Sequence, residues 1–191
     1  MTQTPFSEGA APFSRPIAVE TIGENGLRLN IEASAAECAA LAESDGIEAI
    51  RKLTVEAELS RRGGDRFLVR GRVRAVVAQT CVVTLEAFDE NVDESFEVEY
   101  APEAEAEAAY ARAMAEIEAA LDKAAALANQ PDPPDPIVNG RIDLGALASE
   151  FLALGLDPYP RKPGVEFTAV TEDGDDARPS PFAVLGKLKK D

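Results

Sequence analysis

Phe67-Leu68-Val69-Arg70-Gly71-Arg72-Val73-Arg74-Ala75-Val76-Val77 has the clearest period in the chain. Every odd position is apolar or glycine, and Arg70, Arg72 and Arg74 occupy even ones. A strand here has two faces, one for a core and one carrying a row of arginines. Past Gln79 and Thr80, Cys81-Val82-Val83-Thr84-Leu85-Glu86 reads as a second β-rich run. After the turn signal Asp89-Glu90-Asn91, a third has Phe96, Val98 and Tyr100 opposing Glu97 and Glu99. Upstream, Leu53, Val55, Ala57 and Leu59 alternate with Lys52, Thr54, Glu56 and Glu58, and Gly63-Gly64-Asp65 supplies a turn. The two apolar faces of this long hairpin coincide when paired residue numbers sum to about 126 or 128, so Glu56 falls opposite Arg70 or Arg72. The result is a meander of antiparallel strands. Its arginine row has two readings: cross-strand ion pairing on a solvated face, at roughly 0 to 1 kcal/mol per pair, or a face that contacts phosphates.

The chain has 191 residues, 46% of them hydrophobic, which suits a single globular domain. It has no run of about 18 apolar residues and no basic segment followed by an apolar one at its start, so a soluble cytoplasmic protein with a disordered stretch over residues 1–15 is expected. Histidine is absent, which removes imidazole acid–base chemistry, serine–histidine and cysteine–histidine nucleophiles and histidine metal sites. Two cysteines, Cys38 and Cys81, make neither a disulfide framework nor a four-cysteine zinc site. The net charge of −16 opposes non-specific nucleic-acid binding, yet Arg51 to Ala78 holds eight basic residues against three acidic ones, so a positive face on an acidic body is open.

Outward from the meander, Ile17, Val19 and Thr21 alternate, Gly23-Glu24-Asn25-Gly26 signals a turn, and Leu27, Leu29 and Ile31 alternate again: a first hairpin. Ser34-Ala35-Ala36-Glu37 matches a capping box, predicting a helix to about Ser44 with Cys38 and Leu41 inward and Gly46 at its end. The acidic run Glu86 to Glu99 lacks the spacing and glycine of a calcium loop and reads as a solvated edge. Glu103 to Gln130 is Ala/Glu-rich helical sequence with a thin seam of Tyr110, Met114, Ile117, Leu121, Ala124 and Ala128. That helix either packs by one stripe or serves as a partner-binding or dimerising arm. The proline-rich connection 131–136 stops it, and Ile137 to Ile142, with Asn139-Gly140 inside, is a short strand or turn. Asp143 caps a second amphipathic helix through Leu144, Leu147, Ala148, Phe151, Leu152 and Leu154, ending at Gly155. Ser180-Pro181 opens a short terminal helix carrying Phe182, Leu185 and Leu188.

Two stretches, Val69 to Leu85 with the acidic Val92 to Val98, and Asp135 to Leu154 with Asp157-Pro158-Tyr159-Pro160-Arg161-Lys162-Pro163-Gly164, resemble the YceD family. These are large ribosomal RNA subunit accumulation proteins, formerly a domain of unknown function. The likeness extends over most of Pro16 to Leu188, giving a single YceD-like domain at residues 16–188. It implies a non-enzymatic ribosome-biogenesis factor supporting accumulation of large-subunit ribosomal RNA, with no cofactor. The expected fold is α+β: a curled antiparallel, partly barrel-like sheet of six or seven strands with covering helices and one long acidic helix. Many relatives carry a cysteine pair around the position of Cys81 that suggests a structural metal; this chain has Cys81 alone there, and no metal site is carried over. Cys81 itself reads as a small core residue on the inward parity of Val83 and Leu85. Expected contacts to large-subunit RNA or a pre-ribosomal protein are Arg70, Arg72, Arg74, Tyr159, Arg161 and Lys162. The competing reading is an acidic module that binds a basic partner, such as a ribosomal protein, without contacting RNA. Hydrolysis by paired carboxylates has only the abundance of Asp and Glu behind it.

Overall fold

The alternation around Val73 becomes the middle of a sheet. In the computed structural model, which describes residues 11–165, β2 (Leu27–Glu32), β3 (Ala49–Arg61), β4 (Phe67–Thr80), β5 (Ala87–Pro102) and β6 (Asp135–Ile137) lie side by side in that order. The pairs Leu53↔Ala75, Val55↔Val73 and Leu59↔Val69 realise the second of the two predicted registers, setting Glu56 opposite Arg72. A bulge between Ile50 and Lys52 shifts the register toward the end. The edges, β2 and β6, are not paired with each other, so the sheet is open and not barrel-like; β6 offers only three residues, parallel to Tyr100–Pro102.

The first hairpin does not form. β1 (Pro16–Ala18) instead pairs antiparallel with β7 (Arg141–Asp143), Ile17 opposite Ile142, in a separate two-stranded sheet. Val19–Thr21 winds into a 3₁₀ turn and leaves too short a strand to follow β2. The Arg61 guanidinium donates to the Ile22 carbonyl at 2.7 Å, and the Val19 amide donates to the Gly140 carbonyl at 3.0 Å. Asn139 and Gly140 both have positive φ, 52° and 69°, the geometry of a type I′ turn, and hand the chain from β6 to β7.

The two β-rich runs expected after β4 are also rearranged. Cys81 to Glu86 is a tight turn: the Leu85 amide donates to the Cys81 carbonyl at 2.8 Å and the Cys81 amide to the Glu86 carbonyl at 2.9 Å. Asp89-Glu90-Asn91 lies inside β5, a strand of 16 residues. The single long helix is likewise two, α2 (Glu103–Ala119) and α3 (Lys123–Asn129), because Ala120 is extended and Asp122 caps α3 by accepting from the Ala125 amide. Its expected seam is exposed at Tyr110, Met114 and Leu121, while Ala106 and Ala113, seven residues apart on one face, are buried. Small side chains let α2 approach closely where bulky ones would hold it off.

One buried cluster joins the inward face of the sheet to Cys38 and Leu41 of α1 (Ala35–Asp45) and to Leu144, Leu147, Ala148 and Leu152 of α4 (Leu144–Leu154). The predicted capping box of α1 is present in both directions, and Gly46 closes the helix in the left-handed conformation. Phe96 of β5 stacks on Phe151 of α4 with ring centroids 5.1 Å apart. Gly71 leaves the room: a Cβ there would come within 2.4 Å of the Phe96 ring.

Phe13, Ser14 and Arg15, assigned from sequence to the disordered start, are held firmly. Phe13 is fully buried. Asp143 Oδ1 accepts from the amides of Arg15, Gly145 and Ala146, and Oδ2 accepts from the Ser14 hydroxyl. Burial pushes the Asp143 carboxyl up, but these bonds, Ser14 foremost, together outweigh it and hold it below its ordinary value. The Arg15 guanidinium reaches Glu37 at 2.6 Å and 3.0 Å. The predicted loop Thr171 to Ala177 and the terminal helix from Ser180 lie outside the described residues.

Two expectations follow from this anchoring. A Cβ at Gly145 would meet the Arg15 amide, the Phe13 carbonyl and Ser14 Cα, each at 2.8 Å, whereas Gly63 has nothing within 4 Å. Gly145→Ala is therefore expected to destabilise by about 1–3 kcal/mol in urea unfolding and Gly63→Ala by less than about 0.5 kcal/mol; equal effects would contradict the packing. Secondly, Glu37 is held down to about 2 by the Arg15 guanidinium first, then by the Ser34 amide and hydroxyl. Its contribution is present above the unfolded value of about 4.3 and fades as pH falls toward the folded one. Asp45 and Asp135, raised chiefly by burial, act with the opposite sign. The readout is thus the melting-temperature gap between wild type and Glu37→Gln, expected to shrink between about pH 5 and pH 2.

Candidate functional site

The outward face of the sheet is a lattice of charges set by strand register. Across β2, β3, β4 and β5 one row reads Arg28, Glu58, Arg70, Glu97; the next Asn30, Glu56, Arg72, Ser95; the third Glu32, Thr54, Arg74, Asp93. Directly paired residues share a face. Four cations therefore meet five carboxylates in these three rows, and the face carries no net positive charge.

Each arginine of the row is paired. Arg70 grips Glu97 with two parallel bonds of 2.9 Å, the fork geometry that suits guanidinium and carboxylate. The Arg70 guanidinium is raised and the Glu97 carboxyl lowered, each by that hydrogen bond first. Arg72 reaches diagonally to Asp93 at 3.4 Å, and Arg74 bridges Glu56 at 2.9 Å and Asp93 at 3.8 Å. All three side chains are about half exposed. Geometrically, the ion-paired face is the arrangement present, with the guanidinium edges open to solvent.

Tyr159, Arg161 and Lys162 lie elsewhere. They follow α4 and sit against the turn at the far end of β4, about 20 Å along the strand from Arg74 at 3.3 Å per residue. Tyr159 is exposed, Arg161 is exposed, and Lys162 Nζ meets Glu86 at 2.9 Å. The structure brings these three together with one another and not with the arginine row.

Cys81 is buried as expected, but as a turn residue: Leu85, its supposed inward companion, is 78% exposed. Its sulfur accepts from the Lys162 amide at 3.4 Å, and the Val82 amide donates to the Pro160 carbonyl at 2.9 Å, so the turn clamps residues 160–162. The thiol is lowered to about 6, by the Thr84 hydroxyl first and then by the amides of Lys162, Thr84 and Val83.

Sequence reasoning missed a groove of about 670 Å³ between the edge of β5, α4 and the connection into β6. Glu97, Glu99, Asp132, Asp135 and Glu150 line it with Tyr110, Leu147, Phe151 and Leu154, and no basic residue does. Of the five carboxylates only Glu97 is in an ion pair among the described residues. Burial and then Glu150 raise the Asp135 carboxyl; burial, then Asp135 and Glu150, raise Tyr100 beside it. The available signal was Glu150, a charge at the margin of the otherwise apolar face of α4.

No helix among the described residues is long and apolar enough to cross a membrane. Searches of curated proteins and of solved structures each found no match. The family model described as "Large ribosomal RNA subunit accumulation protein YceD" matches residues 69–189, which takes in the arginine row, α4 and the clamp at Pro160 to Lys162 but not β1 to β3. Matched over more than half of its length, the chain belongs to the YceD family of large ribosomal RNA subunit accumulation proteins.

Proposed function

We propose that this protein is a non-enzymatic factor acting in the cytoplasm to support accumulation of large-subunit ribosomal RNA, and that the outer face of its sheet is where RNA is met. The family match carries the first part of the reading. Supporting the second are three guanidinium groups on alternate residues of one strand, each half exposed and each held only by a surface carboxylate. Such pairs are worth roughly 0 to 1 kcal/mol, so a phosphate can replace the carboxylate at small cost. Tyr159, Arg161 and Lys162, on a different part of the surface, would make a second, separate contact.

The groove favours a second reading, in which the same role is exerted through a basic protein segment. Its carboxylates and apolar side chains complement a segment alternating Lys or Arg with apolar residues, and the outer face has more acid than base.

In a deletion strain, large-subunit RNA is expected to fall relative to small-subunit RNA; an unchanged ratio would remove the assignment. In RNA titrations at several salt concentrations, changing Arg70, Arg72 and Arg74 together to Gln should weaken binding and reduce the slope of log affinity against log salt by about 2, from roughly 0.7 per lost phosphate contact. The control is a circular dichroism spectrum showing the variant folded. Absence of RNA binding by wild type at low salt would transfer the role to the groove. There, Glu150→Lys should release a basic partner recovered by pull-down with wild type.

A further inference from the structure

A cavity of about 470 Å³ opens where the end of α1, the end of β4 and the chain after α4 converge. Its polar wall includes Asp45, Glu48, Gln79 and Asp157; Ile47, Leu156 and Pro158 contribute apolar surface, and no basic residue lines it. Gln79 is the one buried polar residue among those described, at 6% exposure. Its Nε2 donates to the Asp157 carbonyl at 3.2 Å, which fixes the orientation of the amide and leaves Oε1 fully buried without a donor. Asp45 Oδ2 lines the same cavity, is likewise buried, and likewise accepts nothing among the described residues.

Two orphaned acceptors on one cavity are not explained by folding. Each costs about 1–3 kcal/mol of lost solvation, and both would be relieved by the same occupant. That occupant has to donate hydrogen bonds, since neither oxygen can. It has to be positive, since three carboxylates line the cavity with no cation among them. A metal ion fits poorly, because no group of three or more His, Cys, Asp or Glu side chains among the described residues is placed to hold one. The apolar walls call for an aliphatic portion, and the volume falls in the range of small-molecule sites. The wall is also fixed in place: the Val82 amide bonds the Pro160 carbonyl and the Lys162 amide bonds the Cys81 sulfur, clamping the segment that carries Asp157 and Pro158.

We propose that this cavity binds an organic cation, a primary ammonium on an aliphatic stem, whose N–H groups satisfy Gln79 Oε1 and the Asp45 carboxylate while Ile47, Leu156 and Pro158 pack along the stem. An ammonium has three donors on a compact head, enough for both orphans and a third acceptor. The burial that raises Asp45 is relieved when the cation neutralises it. A free polyamine and a lysine side chain of a partner share this chemistry. The site stands independently of the role in ribosomal RNA accumulation.

The test is an NMR titration of the full chain with n-butylammonium, with n-butanol as the uncharged match. Butylammonium is expected to shift the Gln79 side-chain amide and the backbone amides of Gly46 and Ile47, and butanol to leave them in place. Asp45→Asn, which keeps the size of the side chain, should weaken the apparent affinity at least about tenfold, the loss of one charge-assisted bond. Thermal melting checks that this variant folds; Glu48→Gln, on an exposed side chain, gives the same direction at smaller amplitude. Spermidine and Nα-acetyl-lysine methylamide then separate the sources, the tighter of the two naming a free polyamine or a partner's lysine. The proposal is overturned if tens of millimolar butylammonium leave these resonances unmoved, if butanol shifts them equally, or if both variants bind as wild type does.

Discussion

One carboxylate, that of Asp143, holds together parts of the chain that meet nowhere else. It caps α4 through the Gly145 and Ala146 amides and takes the Ser14 hydroxyl and the Arg15 amide, 128 residues away, on the same two oxygens. Remove it and three backbone donors at the start of a buried helix lose their acceptor together, each a full desolvation penalty. The N-terminal segment would also lose its tether beside Phe13, which fills the core. The apolar face of α4 is positioned on the sheet from this end, and through α4 so are the acidic groove along β5 and the chain that walls the cavity at Gln79.

The outer face shows how an exposed sheet surface manages many charges without becoming a charged surface. Register alone fixes which residues are neighbours, and the sequence places opposite signs at adjacent and diagonal positions. β5 runs beside β6 for only three of its residues, so most of its length is an edge with unpaired backbone groups. Its acidic side chains are set on both faces, Glu90 and Glu94 inward, Asp89, Asp93 and Glu97 outward. Like charge on both sides of an edge discourages pairing with another strand. A basic segment meets attraction there instead.

Where local chemistry decided the outcome, it could be read from sequence. The 3–4 hairpin followed from alternation on both strands, the α1 capping box from four residues, and the α4 cap from Asp143 ahead of an apolar stripe. What could not be read was decided between distant elements. Ile17, Val19 and Thr21 alternate as a strand should, but nothing local says that the partner is Ile142 and not Leu29. Cys81 to Leu85 is rich in β-branched residues, yet closing the β4–β5 turn outweighed that preference. A parity signal was present: Phe88, Val92, Phe96 and Tyr100 share one face of β5, and reading Glu90 and Glu94 as tolerated there would have extended the strand back to Ala87. In the site, the arginine row was legible as ion-paired on its register. The groove and the cavity were not, because their walls come from segments far apart in sequence.

The pairing of β1 with β7 has a consequence for synthesis. The sheet of β2 to β5 is built from hairpins between neighbouring stretches and can assemble as the chain emerges, but Phe13 and β1 have no partner until residues 141–145 have left the ribosome. At about 5–20 residues per second that leaves an apolar N-terminal segment waiting for roughly 6 to 25 seconds. Docking of α4 and of the first strand is then a single late closure, and the nascent chain exposes the Phe13 site to cellular chaperones throughout the wait.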